Sequence, residues 1–415
     1  MARMLDLTPG KSSSILDPGA GAGALSESIL EHVESPVRLT MVEQDAVLAD
    51  HLGELLDHFK DKLERGSEVV TGDFIAASAR WLKDGTKFTH VIMNPPYERV
   101  RSDSTVRANL KQAGVVASNL YAAFLWLGMD LLEEGGRMVA VVPRAVLSGS
   151  QFRSLRRHLL SSGSLFQLHH FRSRRQIFQR DSVQQEVVVL GLVKGTKLAQ
   201  VHFSQSNGLD DIAIGGRLIP TWRFNDAGGD DVILVPSSHG PALNGGTESL
   251  LPAGVTVSVG NVVDFRLPEG ALNNEATGVR LVGSEVFAMS TRPTRPPRWV
   301  RVDSTTSRFV MPPGRYIVIK RISPPETQPR LKHRVVNATG EGFRDGVTFE
   351  NHVLVLHAGG AGLPEDTCTL LDELLGTNPV QRQIEERTGS TQINAADIRA
   401  LRRLAARTEG EKHDG

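Results

Sequence analysis

Cysteine is almost absent: Cys368 is the only one in 415 residues. That excludes a disulfide framework and any zinc site built from several thiolates. Aromatic residues are scarce, at 5%. Net charge is missing as well, with 47 Lys+Arg against 47 Asp+Glu, which argues against a uniformly basic nucleic-acid binder. No apolar run approaches the ~20 residues a membrane span needs, and no signal-peptide pattern opens the chain. The expectation is a soluble protein of a reducing cytoplasm. What the chain does have is material for a core: 40% hydrophobic residues, and length for two or three domains.

The zero charge is a sum of unlike regions. Residues 17–75 hold thirteen acids against four bases, and residues 135–180 hold nine arginines and no acid. Residues 291–334 hold eleven Lys+Arg against Asp303 and Glu326. Charge runs are usually solvated faces, but two acid-poor stretches of this size suggest surfaces that meet a polyanion.

Up to about residue 195, short apolar runs alternate with amphipathic stretches, the texture of an α/β domain. Strands are predicted at 14–17, 38–43, 68–71, 88–93, 138–142 and 183–193. Helices are predicted at 24–34, 46–63 and 119–133. Strands apolar on both faces and separated by helices imply a doubly wound, mostly parallel sheet. Beyond about 240, proline and glycine rise and short β-rich pieces appear at 316–320 and 352–356. A second, α+β domain is expected there, giving domains 1–240 and 241–415.

Two motifs carry chemistry. Asp17-Pro18-Gly19-Ala20-Gly21-Ala22-Gly23 joins a strand to a helix, where glycines admit close backbone approach and the helix start offers free N–H groups. The spacing departs from G-x-G-x-x-G, so alone it is also compatible with a plain tight turn. Glu43 ends the next strand, where a carboxylate can accept from ribose hydroxyls. Asp73-Phe74 follows the third, offering an acceptor for an amino group beside an aromatic plane. Three such strand ends in succession make a nucleoside-binding edge. The second motif, Asn94-Pro95-Pro96-Tyr97, follows strand 88–93. Its prolines fix the backbone and supply carbonyls without N–H groups, so the loop presents acceptors suited to a planar NH2 group. Tyr97 adds a face for stacking. No His/Cys/Asp cluster suggests a metal, and His169-His170 reads as structural or as a phosphate-side contact.

Together these residues resemble the S-adenosylmethionine-dependent amino methyltransferases. Asn119-Leu120-Tyr121-Ala122-Ala123-Phe124, Val142-Pro143-Arg144, the stretch Phe171–Phe178 and Gly389–Asn394 extend the likeness to the PstI/BsuBI-type adenine DNA methyltransferases of restriction–modification systems. The resemblance implies a Rossmann-like methyltransferase domain with an antiparallel edge hairpin, followed by a target-recognition domain. It implies methyl transfer to the 6-amino group of a flipped-out adenine, without a metal. Asp17, Gly19, Ala20, Gly21, Glu43, Asp73, Phe74 and Asn94 would bind S-adenosylmethionine. Asn94, Pro95 and Tyr97 would hold the target base, with Phe178 on its other face. Arg144, Arg172, Arg174, Arg175, Lys320 and Arg321 would bind DNA. The implied partners are duplex DNA and a restriction endonuclease acting on the same site, with no membrane, for a monomer at the bacterial nucleoid.

One departure stands out. The family usually carries a Thr-Pro segment about one helix ahead of the glycine loop, helping to enclose the methionine part of the cofactor. Here Thr8-Pro9 lies too close to Asp17 to substitute, so the start is truncated or the site closes differently. Two other readings share these residues: methyl transfer to a glutamine side chain or structural RNA, and a DNA-binding relic without turnover.

Overall fold

The computed structural model describes residues 1–101, 104–172, 186–208, 216–225, 231–236, 248–288, 296–324 and 327–403. The chain divides into two compact units, Met1–Leu234 and Val235–Gly415. No described helix is long and apolar enough to cross a membrane.

The first unit begins with β1 (Ser14–Pro18), α1 (Ala24–His32), β2 (Arg38–Glu43), α2 (Ala46–His58), β3 (Glu68–Thr71), α3 (Phe74–Asp84) and β4 (Phe88–Met93). It continues with α4 (Thr105–Gln112), α5 (Leu120–Leu131), β5 (Leu132–Pro143), the single turn α6 (Ala145–Ser148), α7 (Arg153–Ser162) and β6 (Gly163–Phe171). β7 (Val187–Lys194), β8 (Gln200–Ser206) and β9 (Arg217–Pro220) complete it. All nine strands form one sheet in the order β3-β2-β1-β4-β5-β7-β6-β8-β9. β3 through β5 run parallel, and β7 inserts antiparallel between β5 and β6.

Alternation along the central strands explains the double winding. Ile15, Leu39, Met41, Ile92 and Val139 cluster with Ile29 and Leu30 of α1 and Leu52 of α2. Val91, Met93 and Met138 point to the other face, because successive strand residues alternate. There they meet α5 at Gly128, where a β-carbon would stand 2.8 Å from Met93 Cε and 3.0 Å from Met138 Sδ. α5 is buried along most of its length, as a helix filling one whole face must be.

Two expectations need adjustment. The amphipathic pattern at 46–63 breaks at His58, and a 3₁₀ turn at Lys60–Lys62 takes over. β6, β8 and β9 extend the sheet, and α7 precedes them, beyond what the apolar pattern predicts. Of the strand expected at 183–193, residues 183–185 lie outside the described residues.

The second unit holds β10 (Val255–Val259), β11 (Leu272–Asn273), β12 (Val279–Val282), β13 (Arg298–Val300), β14 (Gly314–Lys320), β15 (His333–Ala338), β16 (Val347–Phe349) and β17 (Val353–Ala358). Three helices follow: α8 (Glu365–Leu375), α9 (Asn378–Arg387) and α10 (Ala395–Arg399). The strands make two four-stranded sheets, β10-β17-β14-β15 and β11-β13-β12-β16. Period-2 alternation again sorts the core. Ile317, Ile319, Leu354 and Leu356 pack with Leu371, Leu375 and Ile384 of the helices. Tyr316, Val318, Val353 and Val355 pack with Val282, Val347 and Phe349 of the second sheet. A sheet covered by helices on one side and by a sheet on the other is an α+β unit.

Candidate active site

The glycine loop, the acidic strand ends and the Asn-Pro-Pro-Tyr loop all follow the carboxyl ends of β1 to β4. Because β3, β2, β1 and β4 are adjacent and parallel, these ends share one edge, where open α/β sheets hold their ligands. Gly19, Gly21 and Gly23 all have positive φ, at 70°, 59° and 83°, which L-residues adopt only at a cost. Gly19 and Ala20 donate to the Val42 carbonyl at 2.9 Å, clamping the loop onto β2. A β-carbon at Gly19 would stand 3.2 Å from Phe124 Cε1 and 3.9 Å from Pro96 Cδ, so the two motifs meet there. A β-carbon at Gly21 would meet nothing within 4 Å. That side of the loop is open.

Asp17 is buried at the end of β1. Ser26 Oγ donates to its Oδ2 at 2.7 Å, while its Oδ1 is buried with no hydrogen-bond partner among the described residues. Burial raises its carboxyl to about 7, Ser26 opposing this and Glu43 adding to it. Glu43 is also buried; it accepts from the Gly21 amide at 2.8 Å and the Asp45 amide at 2.9 Å. Each of its oxygens keeps a second lone pair. Asn94 is exposed, Pro95 buried and Tyr97 half-buried. The Tyr97 ring meets Tyr121 edge to face at 5.8 Å, and burial pushes its hydroxyl pKa well above the usual value.

Two expected roles, those of Phe74 and Arg144, meet a different geometry. Phe74 is 2% exposed and packs on Phe124 at 4.7 Å between ring centres. It therefore belongs to the core and offers no free face to a ligand. Asp73 caps α3, accepting from the Ile75 amide at 3.1 Å. Arg144, expected on DNA, is buried: its Nη1 donates to Glu186 Oε2 at 2.9 Å. At 5% exposure its guanidinium presents little surface to a phosphate. Burial would raise Glu186, yet His170 and Arg144 outweigh it and hold it at about 2. His170 itself is lowered to about 4 by burial and by Arg144. His169 is buried between Ser204 and Ser206, so the histidine pair is structural. Phe178, Arg174 and Arg175 lie outside the described residues, and Arg172 is exposed, its Nη2 donating to Gln205.

In the second unit, Lys320 and Arg321 are half-buried. Arg321 is held by the Asn351 carbonyl at 3.0 Å, and Lys320 lines a cleft. Thr8 lies beside Ser13, Thr89, His90 and Arg137 in a cavity of about 280 Å³. Those residues mark the amino ends of β1 and β4, the edge opposite the glycine loop. Thr8-Pro9 therefore cannot enclose the nucleoside edge. Phe124 and Ser26 are the functional neighbours that motif reading misses. Ser26 lies nine residues past Asp17 with no pattern to link them, whereas Phe124 falls inside Asn119–Phe124, a stretch that itself carries the family likeness.

The Eco57I restriction-modification methylase family matches residues 33–178, which spans β2 through the segment after β6. The type II methyltransferase M.BsuBI of Bacillus subtilis is 32% identical over 416 residues, covering 94% of this chain and 82% of that protein. M.PstI of Providencia stuartii, also a type II methyltransferase, is 29% identical over 94% of this chain and 81% of its own length. Among solved structures, the type IIL restriction-modification enzyme MmeI in complex with DNA shares the fold at a TM-score of 0.54, over 92% of this chain and 61% of that one, at 12% identity. Near-complete coverage at this identity extends the likeness through both units: the chain belongs to the type II methyltransferases represented by M.BsuBI and M.PstI.

Proposed function

We propose that this chain transfers the methyl group of S-adenosylmethionine to the 6-amino group of adenine in duplex DNA. The observation that carries the reading is the meeting of two loops. The acceptor-rich Asn94–Tyr97 loop meets the glycine loop at Gly19, beside Asp17 with its buried, unpartnered carboxylate oxygen. The residues present fit the cofactor. Asp17 Oδ1 suits a cationic group, since a positive charge beside it offsets the desolvation that keeps it protonated. The open flank of Gly21 leaves room for a ligand against the backbone. Glu43, with one lone pair free on each oxygen, suits ribose hydroxyls. The cofactor supplies a methyl group on a positively charged sulfur, so the chain needs positioning more than a strong base.

Asn94 Oδ1 and the Pro95 carbonyl are the two acceptors for the target amino protons. Accepting both shifts the nitrogen lone pair out of conjugation with the ring and towards the methyl group. Tyr97 offers a ring for stacking. A base inside a duplex cannot bring its amino group to this loop, so the reading includes base flipping. With Phe74 in the core, the remaining contacts to the cofactor's adenine fall to Asp73 and backbone. The second unit takes the role of target recognition, and a restriction endonuclease acting on the same sequence is the natural partner.

The test is transfer of tritiated methyl from S-adenosylmethionine to unmethylated duplex DNA, with RNA and protein as parallel acceptors, followed by nucleoside analysis. Label recovered as N6-methyladenine is expected. Label only in RNA or protein, or in cytosine, overturns the reading. Asn94→Ala should cut transfer at least about a hundredfold, as removal of a reacting-group hydrogen-bond partner does. A wild-type rate in that variant removes Asn94 from its role.

A further inference from the structure

The second unit contains a cleft of about 520 Å³ lined by Ser284, Glu285, Phe287, Lys320, Ile322 and His352. Lys320 ends β14 and His352 precedes β17, its carbonyl accepting from the Arg321 amide at 3.1 Å. The antiparallel register brings these two ends together, with Lys320 opposite Val353. The cleft thus has a cation and an imidazole on neighbouring strands. Lys320 has no carboxylate partner among the described residues, and its Nζ is a donor only.

The imidazole is held by a chain of charges that the fold brings in from three places. His352 Nδ1 stands 3.2 Å from Glu350 Oε1. The same oxygen stands 3.2 Å from Arg298 Nη2, and Arg298 Nη1 donates to Asp264 Oδ2 at 2.5 Å. Glu350 is 3% exposed, whereas the His352 side chain is 47% exposed. Burial would raise Glu350, but Arg298 and His352 outweigh it and keep its carboxyl below the ordinary range. An ionised carboxylate only accepts, so the proton of a neutral His352 belongs on Nδ1, and Nε2 is left as an acceptor. Gly283 makes the arrangement possible: a β-carbon there would stand 2.2 Å from Glu350 Oε2 and 2.7 Å from Glu285 Oε2. A buried relay ending at a half-exposed ring is how a protein fixes the orientation of one recognition group.

We infer that this cleft reads the major-groove edge of a G·C base pair in the target site, Lys320 donating to guanine and His352 Nε2 accepting from the cytosine amino group. The inference rests on the methyltransferase reading and adds to it the residues that set sequence specificity. The pairing follows from groove chemistry: guanine presents O6 and N7 acceptors beside the N4 amino donor of cytosine. Arg301, Arg308, Lys332 and Arg334 in the same unit carry no ion pair among the described residues, and suit contacts to phosphates. Glu350 and Arg298 are positioning residues, acting through His352.

The experiment uses the full chain and a random-sequence duplex library, read twice: by mapping methylated positions, and by sequencing duplexes retained without turnover. Lys320→Ala and His352→Ala should relax preference at one and the same G·C position, lowering the cognate-to-substituted ratio about tenfold. Glu350→Gln should relax that position too, because a neutral amide no longer dictates which ring nitrogen carries the proton. A merely structural role would lower stability, or transfer to all duplexes alike, and leave the ratio unmoved. An unmoved ratio in all three variants, or relaxation at an A·T position, overturns the cleft assignment. If the wild type selects a sequence in binding yet methylates no DNA, the catalytic reading fails and the cleft is still judged by the retained duplexes. If it selects no sequence, the cleft assignment fails by itself.

Discussion

Two arginine-rich stretches look alike in sequence and differ in how their described arginines are partnered. Residues 135–180 and 291–334 each carry a net charge of +9. In the first, Arg137 pairs with Asp6 at 3.0 Å, Arg144 with Glu186 at 2.9 Å, and Arg157 with Asp231 at 2.7 Å. Arg156 is 1% exposed and bound to the carbonyls of Val146, Gly149 and Asp231. In the second stretch Arg298, Arg315 and Arg330 are engaged likewise. Arg301, Arg308 and Arg334, however, are exposed and have no carboxylate partner among the described residues, a condition that Arg172 shares in the first stretch. A run of like charge in a sequence therefore does not by itself locate a polyanion surface. What matters is whether the fold supplies the counter-charge.

The most disruptive way to break this contrast is at Arg144. Arg144→Met leaves Glu186 ionised, 2% exposed at the side chain and without its guanidinium. Removing one partner of a buried pair costs about 3–5 kcal/mol, read as a lower denaturant midpoint. Adding Glu186→Gln should recover much of that loss, since a neutral amide no longer needs the missing guanidinium. If Arg144→Met instead leaves stability intact and weakens DNA binding, Arg144 belongs with the DNA-facing cations after all.

Asp17 differs from these arginines: it is a buried carboxyl that the described residues satisfy at one oxygen only. Its carboxyl rises from 3.8 unfolded to about 7 folded. The folded protein therefore holds a proton the unfolded chain releases, so stability falls as pH rises from about 4 to about 7 and levels off above. Glu186 has the opposite sign: its stabilisation is present above its ordinary value of 4.5 and disappears as pH falls towards about 2. Asp17→Asn should flatten the decline between pH 4 and 7 and raise the melting temperature at pH 8 by a few degrees. The same variant should weaken S-adenosylmethionine binding. A stabilised variant that binds cofactor as well as the parent would remove Asp17 from the proposed site.

Smaller effects are expected from the exposed cations. Replacing Arg301, Arg308 and Arg334 by Gln should make the dependence of log affinity on log salt shallower, by about 0.9 for each phosphate these side chains neutralise. Arg153→Gln with Arg157→Gln should leave that slope unchanged. The reverse result would exchange the two stretches.

The parts of this molecule that can be read from sequence are those whose partners are close along the chain or repeat with a period. β1, β2 and β4 are mostly buried and read as apolar runs between glycine and proline loops, so their carboxyl ends, with Asp17, Glu43 and Asn94, are legible. The destinations of the arginines are not, because Glu186 lies 42 residues from Arg144 and Asp231 lies 74 from Arg157. Phe74 misleads for a related reason: an aromatic after a strand reads equally as a stacking face or as core, and only Phe124, brought over by α5, decides. In the second unit, β14 and β17 show as apolar pieces. Helix α9 carries Arg382, Glu385 and Arg387 among few apolar residues, and so gives little periodic signal.

The gentlest probe of the contrast is Asp231, which serves two arginines at once. Arg157 Nε lies 2.7 Å and Arg153 Nε 3.6 Å from the same carboxylate oxygen. All three side chains are at least 32% exposed, and such pairs contribute about 0–1 kcal/mol. Asp231 has a positive φ of 54°, a conformation asparagine tolerates as well as aspartate. Its carbonyl, which accepts from Arg156 Nε at 2.6 Å, is untouched by a side-chain change. Asp231→Asn should thus alter stability by less than about 1 kcal/mol while removing the counter-charge from two guanidiniums. The salt slope of DNA binding is expected to stay where it was, because those arginines anchor the start of α7 and not a phosphate. A steeper slope would mean that one aspartate is what separates the first stretch from the second.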